Sequence, residues 1–261
     1  FCVSYKQKKY RVRGLDELKE DLDSLSEWYK KSVQRVFLAD GNALAMQTSD
    51  LIEMLDLLND ELPELKRVGV YGYAKDLREK TTEDLVTLKA NKLGIVYLGL
   101  ETGDDDLLRW IHKGVDSAEN IEACSKIRSA GIPLSLTIIL GLGGYPNTES
   151  HARKTAQVLN KIDPEYVGAL TLMTPSGTQI NDMVNSGEFV PMKPMDILKE
   201  LRLLIKYFDL TNCIFRTNHA SNYIALGGTL PYDKTRILSV LENAITTNIE
   251  SSLRPSYSRK L

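Results

Sequence analysis

The chain has 261 residues, 43% of them hydrophobic, which is enough to build one large α/β domain or two small ones. A net charge of −2 gives no electrostatic reason to expect a nucleic-acid partner or an anionic membrane surface. Three cysteines, an odd number, indicate a reducing compartment, and the apolar runs are too short to span a bilayer, so we expect a cytoplasmic location and no membrane partner.

Helical periodicity is first visible near the N-terminus, where Leu15, Leu18, Leu22, Leu25 and Trp28 are spaced by three or four residues. This spacing predicts one helix over residues 15–31. The same periodicity, with capping residues before several segments, predicts further helices over residues 49–62, 82–91, 104–112, 117–130, 148–161, 194–208 and 232–245.

Short apolar runs lie between these helices and predict six strands, at residues 35–38, 68–71, 95–100, 134–140, 166–172 and 213–216. The alternation indicates an α/β protein, a partial (β/α)6 TIM-like barrel with parallel strands and outer helices. We expect one domain over residues 1–250 and a flexible tail over residues 251–261. A doubly wound open sheet would show the same alternation, but Gly141-x-Gly143-Gly144 lacks the dinucleotide-binding spacing.

Three of the predicted strands end on small, acidic or glycine-rich sequence. They run into Ala39-Asp40-Gly41-Asn42, into Glu101-Thr102-Gly103 and into Gly141-Leu142-Gly143-Gly144. In a parallel barrel the carboxyl ends of the strands share one face, and small-molecule chemistry takes place there. The pattern therefore predicts one shared pocket rather than three unrelated loops.

The pair Phe1-Cys2 precedes a basic and aromatic stretch over residues 5–13. Together with the three strand ends, this stretch resembles the radical S-adenosylmethionine (radical SAM) superfamily. The similarity is greatest to the branch of the Elongator catalytic subunit, methylthiotransferases and oxygen-independent coproporphyrinogen oxidase. The resemblance implies a Cys-x3-Cys-x-aromatic-Cys motif that holds a [4Fe–4S] cluster, with Phe1-Cys2 as its last two positions and Cys2 as a cluster ligand.

The first two cysteines of that motif are missing from the chain. Cys124 and Cys213 are poor substitutes, because they lie far along the sequence, within or beside predicted elements. One thiolate cannot hold a cubane, so we expect that residues before Phe1 in the natural protein carry both cysteines and the first barrel strand. The alternative is a degenerate relative that binds no cluster.

The resemblance also implies SAM contacts at the strand ends. Asp40-Gly41-Asn42 would bind the methionyl ammonium, with an ordinary tight turn as the alternative. Glu101, in Glu101-x-Gly103, would accept hydrogen bonds from the ribose hydroxyls, although it could instead cap the next helix. Lys113 would pair with the SAM carboxylate, although a lysine at a helix C-terminus is favourable by itself.

Ser135 and Thr137 share one face of their strand, because side chains alternate. Polar residues on an inner barrel face suggest a ligand contact, with a threonine that simply favours a strand as the alternative. The resemblance implies that residues 141–144 lie beside the adenine. It places Met173, with Leu172, against the same ring, where core packing is the competing explanation.

The substrate end of the site is expected around residues 215–223. There His219 would transfer a proton near neutral pH. Tyr71 and Tyr73, after an earlier strand, would stack on substrate. A surface loop and a buried tyrosine are the plainer alternatives for these residues.

The resemblance implies an enzyme that reductively cleaves SAM at the cluster and passes a 5′-deoxyadenosyl radical to an unknown small-molecule substrate. A flavodoxin or ferredoxin is the expected reducing partner, and the chain without its missing cysteines is expected to be inactive. Two alternatives remain open. One is a cluster-less module that binds SAM or a nucleoside, and the other is a barrel lyase or isomerase that uses Glu101 and His219 as an acid–base pair.

Overall fold

The computed structural model describes residues 11–39, 41–248 and 253–260, so the predictions for Cys2 and Asp40 lie outside the described residues. Its strands are β1 Arg35–Leu38, β2 Arg67–Gly72, β3 Leu93–Glu101, β4 Leu134–Leu140, β5 Tyr166–Thr171, β6 Cys213–Arg216 and β7 Gly227–Leu230. Its helices are α1 Leu15–Asp23, α2 Glu27–Lys30, α3 Thr48–Glu61, α4 Thr82–Ala90, α5 Asp105–Trp110, α6 Ser117–Ser129, α7 Gly144–Ile162, α8 Gln179–Ser186, α9 Pro194–Tyr207 and α10 Lys234–Thr247.

The strands form one sheet in chain order, with β1 and β7 at its edges, so the barrel is not closed. β1 pairs with β2, β2 with β3, and β5 with β6, all in parallel. The predicted α/β class with parallel strands is confirmed. The prediction of six strands is wrong by one, because β7 pairs antiparallel with β6. Its sequence, Gly-Gly-Thr-Leu, has no apolar run that would indicate a strand.

The chain divides into two compact units, and the boundaries fall within β3, α6 and β4. The first unit contains the described residues up to Gly99 together with Glu122–Ser135. One face of its strands is buried and includes Val70 and Val96. The alternate positions carry Phe37, Tyr71 and Tyr97, whose ring centroids are 4.8 to 6.3 Å apart. These rings form an edge-to-face aromatic cluster on a partly exposed sheet face.

The second unit contains Leu100–Ile121 and the described residues from Leu136 onward. Helix α9 packs against both α7 and α10. The apolar stripe of α9, which includes Leu201 and Leu204, is buried, as periodicity over residues 194–208 predicts. Ile197 of α9 lies beside Gly141, which directly follows β4, so this helix packs against one of the candidate strand ends.

The prediction of one helix over residues 15–31 is wrong, because α1 ends at Asp23 and α2 begins at Glu27. The Ser26 side chain accepts a hydrogen bond from the Tyr29 backbone N–H (3.3 Å), which starts a new helix. Trp28 is 79% exposed, so its spacing from Leu25 does not mark a continuous buried face. A local cap therefore outweighs the apolar periodicity.

Two further differences concern the second unit. Helix α7 begins at Gly144, four residues before the predicted start, so the glycine-rich strand end runs directly into the helix. Helix α8, which Thr178 caps by accepting from the Asn181 N–H, was not predicted. Of the helices in the described part of the chain, none combines the length and apolar character needed to cross a membrane.

Candidate functional site

An ion pair lies at the carboxyl end of β3. Lys113 Nζ is 3.0 Å from Glu101 Oε1, and the two side chains are only 17% and 12% exposed. Glu101 has φ +63°, a left-handed conformation that is uncommon for a non-glycine residue and often marks a functional turn. The two residues predicted to bind opposite ends of SAM are therefore neighbours in the structure, and each is partly desolvated.

The turn after α5 brings Lys113 back towards Glu101. His112 is left-handed (φ +54°), its N–H donates to the Arg109 carbonyl (3.0 Å), and the Lys113 N–H donates to the Leu108 carbonyl (2.9 Å). These two bonds form a Schellman motif, with histidine at the position that glycine usually takes. Lys113 thus lies three residues beyond the end of α5 rather than in its last turn, and His112 is exposed.

Gly103 is buried against helix α7. A Cβ at this position would lie 2.4 Å from the Lys154 carbonyl oxygen, so only glycine fits. The Gly103 N–H donates to Thr155 Oγ1 (2.9 Å). The glycine requirement here comes from helix packing, and the predicted contact of Gly103 with a cofactor stays a prediction.

Asp104 caps α5 and is almost fully buried. Burial raises the pKa of its carboxyl, but hydrogen bonds from Ser150 (2.7 Å) and Lys154 (3.0 Å) outweigh burial, so the pKa is lowered overall. Asp104 therefore performs the capping role that was the alternative for Glu101. Glu101 itself remains available for another role.

A cavity of about 230 Å³ lies beside the glycine-rich end of β4. Gly141, Met173 and Met192 are among its lining residues, and Ile197 of α9 lies behind Gly141. The wall combines apolar side chains such as Met173 and Met192 with polar groups such as Thr171 and Arg259, a mixture that can take a planar ring with polar edges. The structure thus brings three of the residues predicted for the adenine end, Gly141, Leu172 and Met173, to one cavity.

The C-terminal segment completes the wall of this cavity. The Arg259 guanidinium lies 4.3 Å over the Tyr223 ring and donates to the Tyr223 hydroxyl (2.6 Å) and the Leu172 carbonyl (2.9 Å). Leu253 is buried in the same segment. Residues 253–260, part of the expected flexible tail, therefore contact the body of the second unit.

A larger groove of about 490 Å³ lies between α9 and α10, but its lining residues all belong to these two helices rather than to strand ends.

His219 lies in the loop after β6. Its Nδ1 accepts from the Ser221 N–H (3.1 Å), so the ring proton of the neutral form is on Nε2. Burial, and then the charge of Arg254, lower the pKa of the imidazole. Among the described residues that line the 230 Å³ cavity, Tyr223 is present and His219 is not. The catalytic role of His219 stays a prediction.

The lowered pKa of His219 predicts a pH dependence of stability. The unfolded chain takes up this proton at higher pH than the folded protein does, so the contribution is present above pH about 6.5 and is lost as the pH falls through the folded-state pKa. Replacing His219 by Asn keeps an acceptor for the Ser221 N–H but removes the titration. We expect the free energy of unfolding of His219→Asn, measured with urea from pH 8 to pH 5, to fall less steeply than that of the unchanged protein. If both proteins lost the same unfolding free energy between pH 8 and pH 5, the lowered pKa of His219 would be contradicted.

In the first unit, Gly41 and Asn42 follow β1. Gly41 has φ +140°, a conformation that favours glycine. The Asn42 side-chain amide donates to the Asp76 carboxylate, while its Oδ1 is buried and accepts no hydrogen bond from the described residues. An unsatisfied buried acceptor is rare and costly, and it suits an N–H donor of a ligand.

Tyr73 follows β2 and is half-buried. Burial, followed by the nearby Asp76 charge, raises the pKa of its phenol, so the hydroxyl stays protonated at neutral pH. On β4, Ser135 and Thr137 are half-exposed while Leu134 and Leu136 are buried, which confirms that the two polar residues share one face. Their predicted contact with a cofactor is not tested by this arrangement.

The two cysteines of the described residues are not plausible metal ligands. Cys124 and Cys213 are fully buried, and burial raises the pKa of each thiol to about 12, so neither is a thiolate at neutral pH. Within residues 11–39, 41–248 and 253–260, no group of three His, Cys, Asp or Glu side chains could hold a metal ion.

The sequence predictions missed a buried polar network in the second unit. Its members are Thr102, Thr148, His151, Thr155 and Glu200. The available signal was the position of His151 and Glu200 within the apolar stripes of two predicted helices. A charged residue is rarely fully buried without a partner.

Comparison with known proteins gives one family. Residues 1–159 match the family model of the Radical SAM superfamily. The chain is 27% identical over 169 residues to a probable threonylcarbamoyladenosine tRNA methylthiotransferase of Methanocaldococcus jannaschii, covering 61% of this chain and 39% of that protein. It spans about two fifths of the length of the curated relatives it matches.

Two solved structures share the fold. Coproporphyrinogen III oxidase (HemN) from Escherichia coli has a TM-score of 0.58 at 13% identity, covering 74% of this chain and 44% of that one. An Elp3 of Methanocaldococcus infernus has a TM-score of 0.55 at 13% identity, covering 82% and 54%. These relatives represent the branches that the sequence resembles. The chain belongs to the radical SAM superfamily.

Proposed function

We propose that this chain is the SAM-binding part of an enzyme that reductively cleaves SAM at a [4Fe–4S] cluster. Family membership supports the reaction class. The observation that carries the proposal is the Glu101–Lys113 pair at the end of β3, in which an acceptor and a cation lie 3.0 Å apart on a left-handed turn. The substrate that receives the radical is not indicated by the chain.

Residues of the second unit offer partners for the SAM carboxylate, the ribose and the adenine. Lys113 would bind the carboxylate, and Glu101 would accept from the ribose hydroxyls. The cavity beside Gly141 and Met173 would take the adenine ring.

The cluster itself would require Cys2 and further thiolates outside the described residues, because Cys124 and Cys213 are buried thiols. When bound, such a cluster supplies one electron to the SAM sulfonium, with a flavodoxin or ferredoxin as the proposed source. The residues of this chain would bind and orient SAM and shield it from water.

Anaerobic reconstitution of the full natural protein with iron and sulfide tests the proposal. We expect iron uptake, and formation of 5′-deoxyadenosine and methionine after reduction with dithionite in the presence of SAM. Cys2→Ala should abolish both, because two thiolates do not retain the cubane. SAM binding without iron uptake would instead indicate a cluster-less module, and no SAM binding would overturn the proposal.

The buried cysteines provide a matched control. The double variant Cys124→Ala, Cys213→Ala should keep the iron content of the unchanged protein after reconstitution. Its stability should fall by about 1 kcal/mol per site, because each substitution removes a small buried group. Loss of iron from a variant that remains folded, judged by circular dichroism, would show that one of these thiols is a cluster ligand.

A further inference from the structure

The buried network in the second unit connects two strand-end loops. Thr102, His151, Thr155 and Glu200 are each no more than 2% exposed. Burying polar groups to this extent is unfavourable unless each is hydrogen-bonded. None of these four residues is among those proposed above to contact SAM. Their hydrogen bonds nevertheless hold backbone groups of two strand-end loops, the loop after Glu101 and the loop at Gly141.

One end of the network holds the loop that follows Glu101. The Gly103 N–H donates to Thr155 Oγ1 (2.9 Å), and the Asp104 N–H donates to Thr102 Oγ1 (3.0 Å). Thr102 Oγ1 is also 2.8 Å from His151 Nδ1. The Thr102 hydroxyl thus accepts from the backbone and donates its own proton to the imidazole.

The other ring nitrogen fixes the tautomer of His151. His151 Nε2 is 3.1 Å from the Ile139 carbonyl oxygen, which can only accept, so Nε2 carries the proton and Nδ1 is the acceptor. Ile139 lies two residues before Gly141. The imidazole therefore links the loop after β3 to the C-terminal end of strand β4.

Glu200 of α9 holds the second loop. Its Oε1 accepts from the Gly141 N–H (2.7 Å), and its Oε2 accepts from the Thr148 hydroxyl (2.5 Å). Oε1 also lies 3.7 Å from His151 Nε2, so Glu200, which holds the Gly141 loop, is next to the imidazole that holds the loop after Glu101. Gly141 has φ +78°, and a Cβ there would lie 2.6 Å from Ile197 Cδ1, so any other residue would be strained at this end of the network.

We propose that His151 and Glu200 are positioning residues for SAM, which fix the loop after Glu101 and the Gly141 loop in the geometry that binds it. The inference rests on the proposed function, because SAM is the ligand whose affinity it concerns. The two residues act through backbone amides, and the hydrogen-bond acceptor, rather than the charge, is the property of Glu200 that matters.

Paired variants of Glu200 test this in the full natural protein. Glu200→Gln keeps an oxygen for the Gly141 N–H, and its Kd for SAM, measured by equilibrium dialysis, should stay within about threefold of the unchanged protein. Glu200→Leu leaves that N–H without an acceptor and should weaken SAM binding at least about tenfold. His151→Phe should have an effect of similar size.

Glu242→Leu, which removes an exposed ion pair with Arg202, is the control and should bind SAM normally. Amide hydrogen exchange supplies a second readout, because Gly141 exchange should rise in Glu200→Leu and not in Glu200→Gln. If Glu200→Leu fails to fold, Thr155→Val tests the same idea at the Gly103 N–H, with about fivefold weaker binding expected.

The outcomes separate the two claims. If the unchanged protein binds SAM and a folded Glu200→Leu variant binds it equally well, the positioning role is overturned and the proposed function is unaffected. Equal losses in Glu200→Gln and Glu200→Leu would also overturn it, because the retained acceptor would not matter. Unchanged protein that binds no SAM would overturn both proposals, even where the exchange of Gly141 responds to the substitutions.

Discussion

Replacing Lys113 by Met is expected to weaken SAM binding about 100-fold, which corresponds to about 2.7 kcal/mol. The substitution removes the cation proposed for the SAM carboxylate and leaves the Glu101 carboxylate, 12% exposed, without that partner. Truncating one member of a desolvated charge pair costs more than losing an exposed pair, because the remaining charge is still buried. The measurement is equilibrium dialysis of SAM against the full natural protein, with 5′-deoxyadenosine formation as the second readout.

Lys199→Met is the matched control for this substitution. Lys199 lies 2.8 Å from Asp196 and is 54% exposed, so its loss should leave SAM binding unchanged and alter stability by less than about 1 kcal/mol. Glu101→Gln, which retains one carbonyl acceptor for a ribose hydroxyl, should lose less SAM affinity than Glu101→Leu. If Lys113→Met lowers the unfolding free energy but binds SAM normally, Lys113 is only a structural partner of Glu101.

Replacing Gly103 by Ala is expected to destabilise the protein by about 3 kcal/mol. The new Cβ would lie 2.4 Å from the Lys154 carbonyl oxygen and 2.8 Å from Thr155 Cα, both backbone atoms of α7 that cannot move independently. The midpoint of urea unfolding, followed by circular dichroism, measures this cost.

Gly168→Ala is the control for the Gly103 substitution. Gly168 lies in β5, and a Cβ there meets no described atom within 4 Å, so the change in stability should be under about 1 kcal/mol. A Gly103→Ala protein of normal stability that fails to bind SAM would show that the glycine is needed for the ligand rather than for α7. Normal stability with normal binding would contradict the packing shown by the structure.

Sequence patterns predicted the regular parts of the fold because those parts depend on local burial. The bounds of β4 and β6 agree with the apolar runs at residues 134–140 and 213–216. Helix 15–31 was predicted as continuous because apolar spacing alone does not show that Ser26 starts a new helix. Strand β7 was missed because its two glycines obtain their strand geometry from pairing with β6.

The sequence indicated Glu101 and Lys113 as separate candidates but did not indicate that the two side chains form an ion pair. Their pairing depends on the left-handed turn at His112, a position that favours glycine, so the histidine gives no sequence signal for it. The roles of His151 and Glu200 were missed because they depend on contacts between residues about 50 positions apart, which no local pattern encodes.

The position of SAM in a crystal structure of the full natural protein, reconstituted and crystallised without oxygen, tests the assignment of the strand ends. We expect the SAM carboxylate at Lys113, the ribose hydroxyls at Glu101, and the adenine in the cavity beside Gly141 and Met173. SAM bound away from all of these residues, for example in the groove between α9 and α10, would contradict the proposed site.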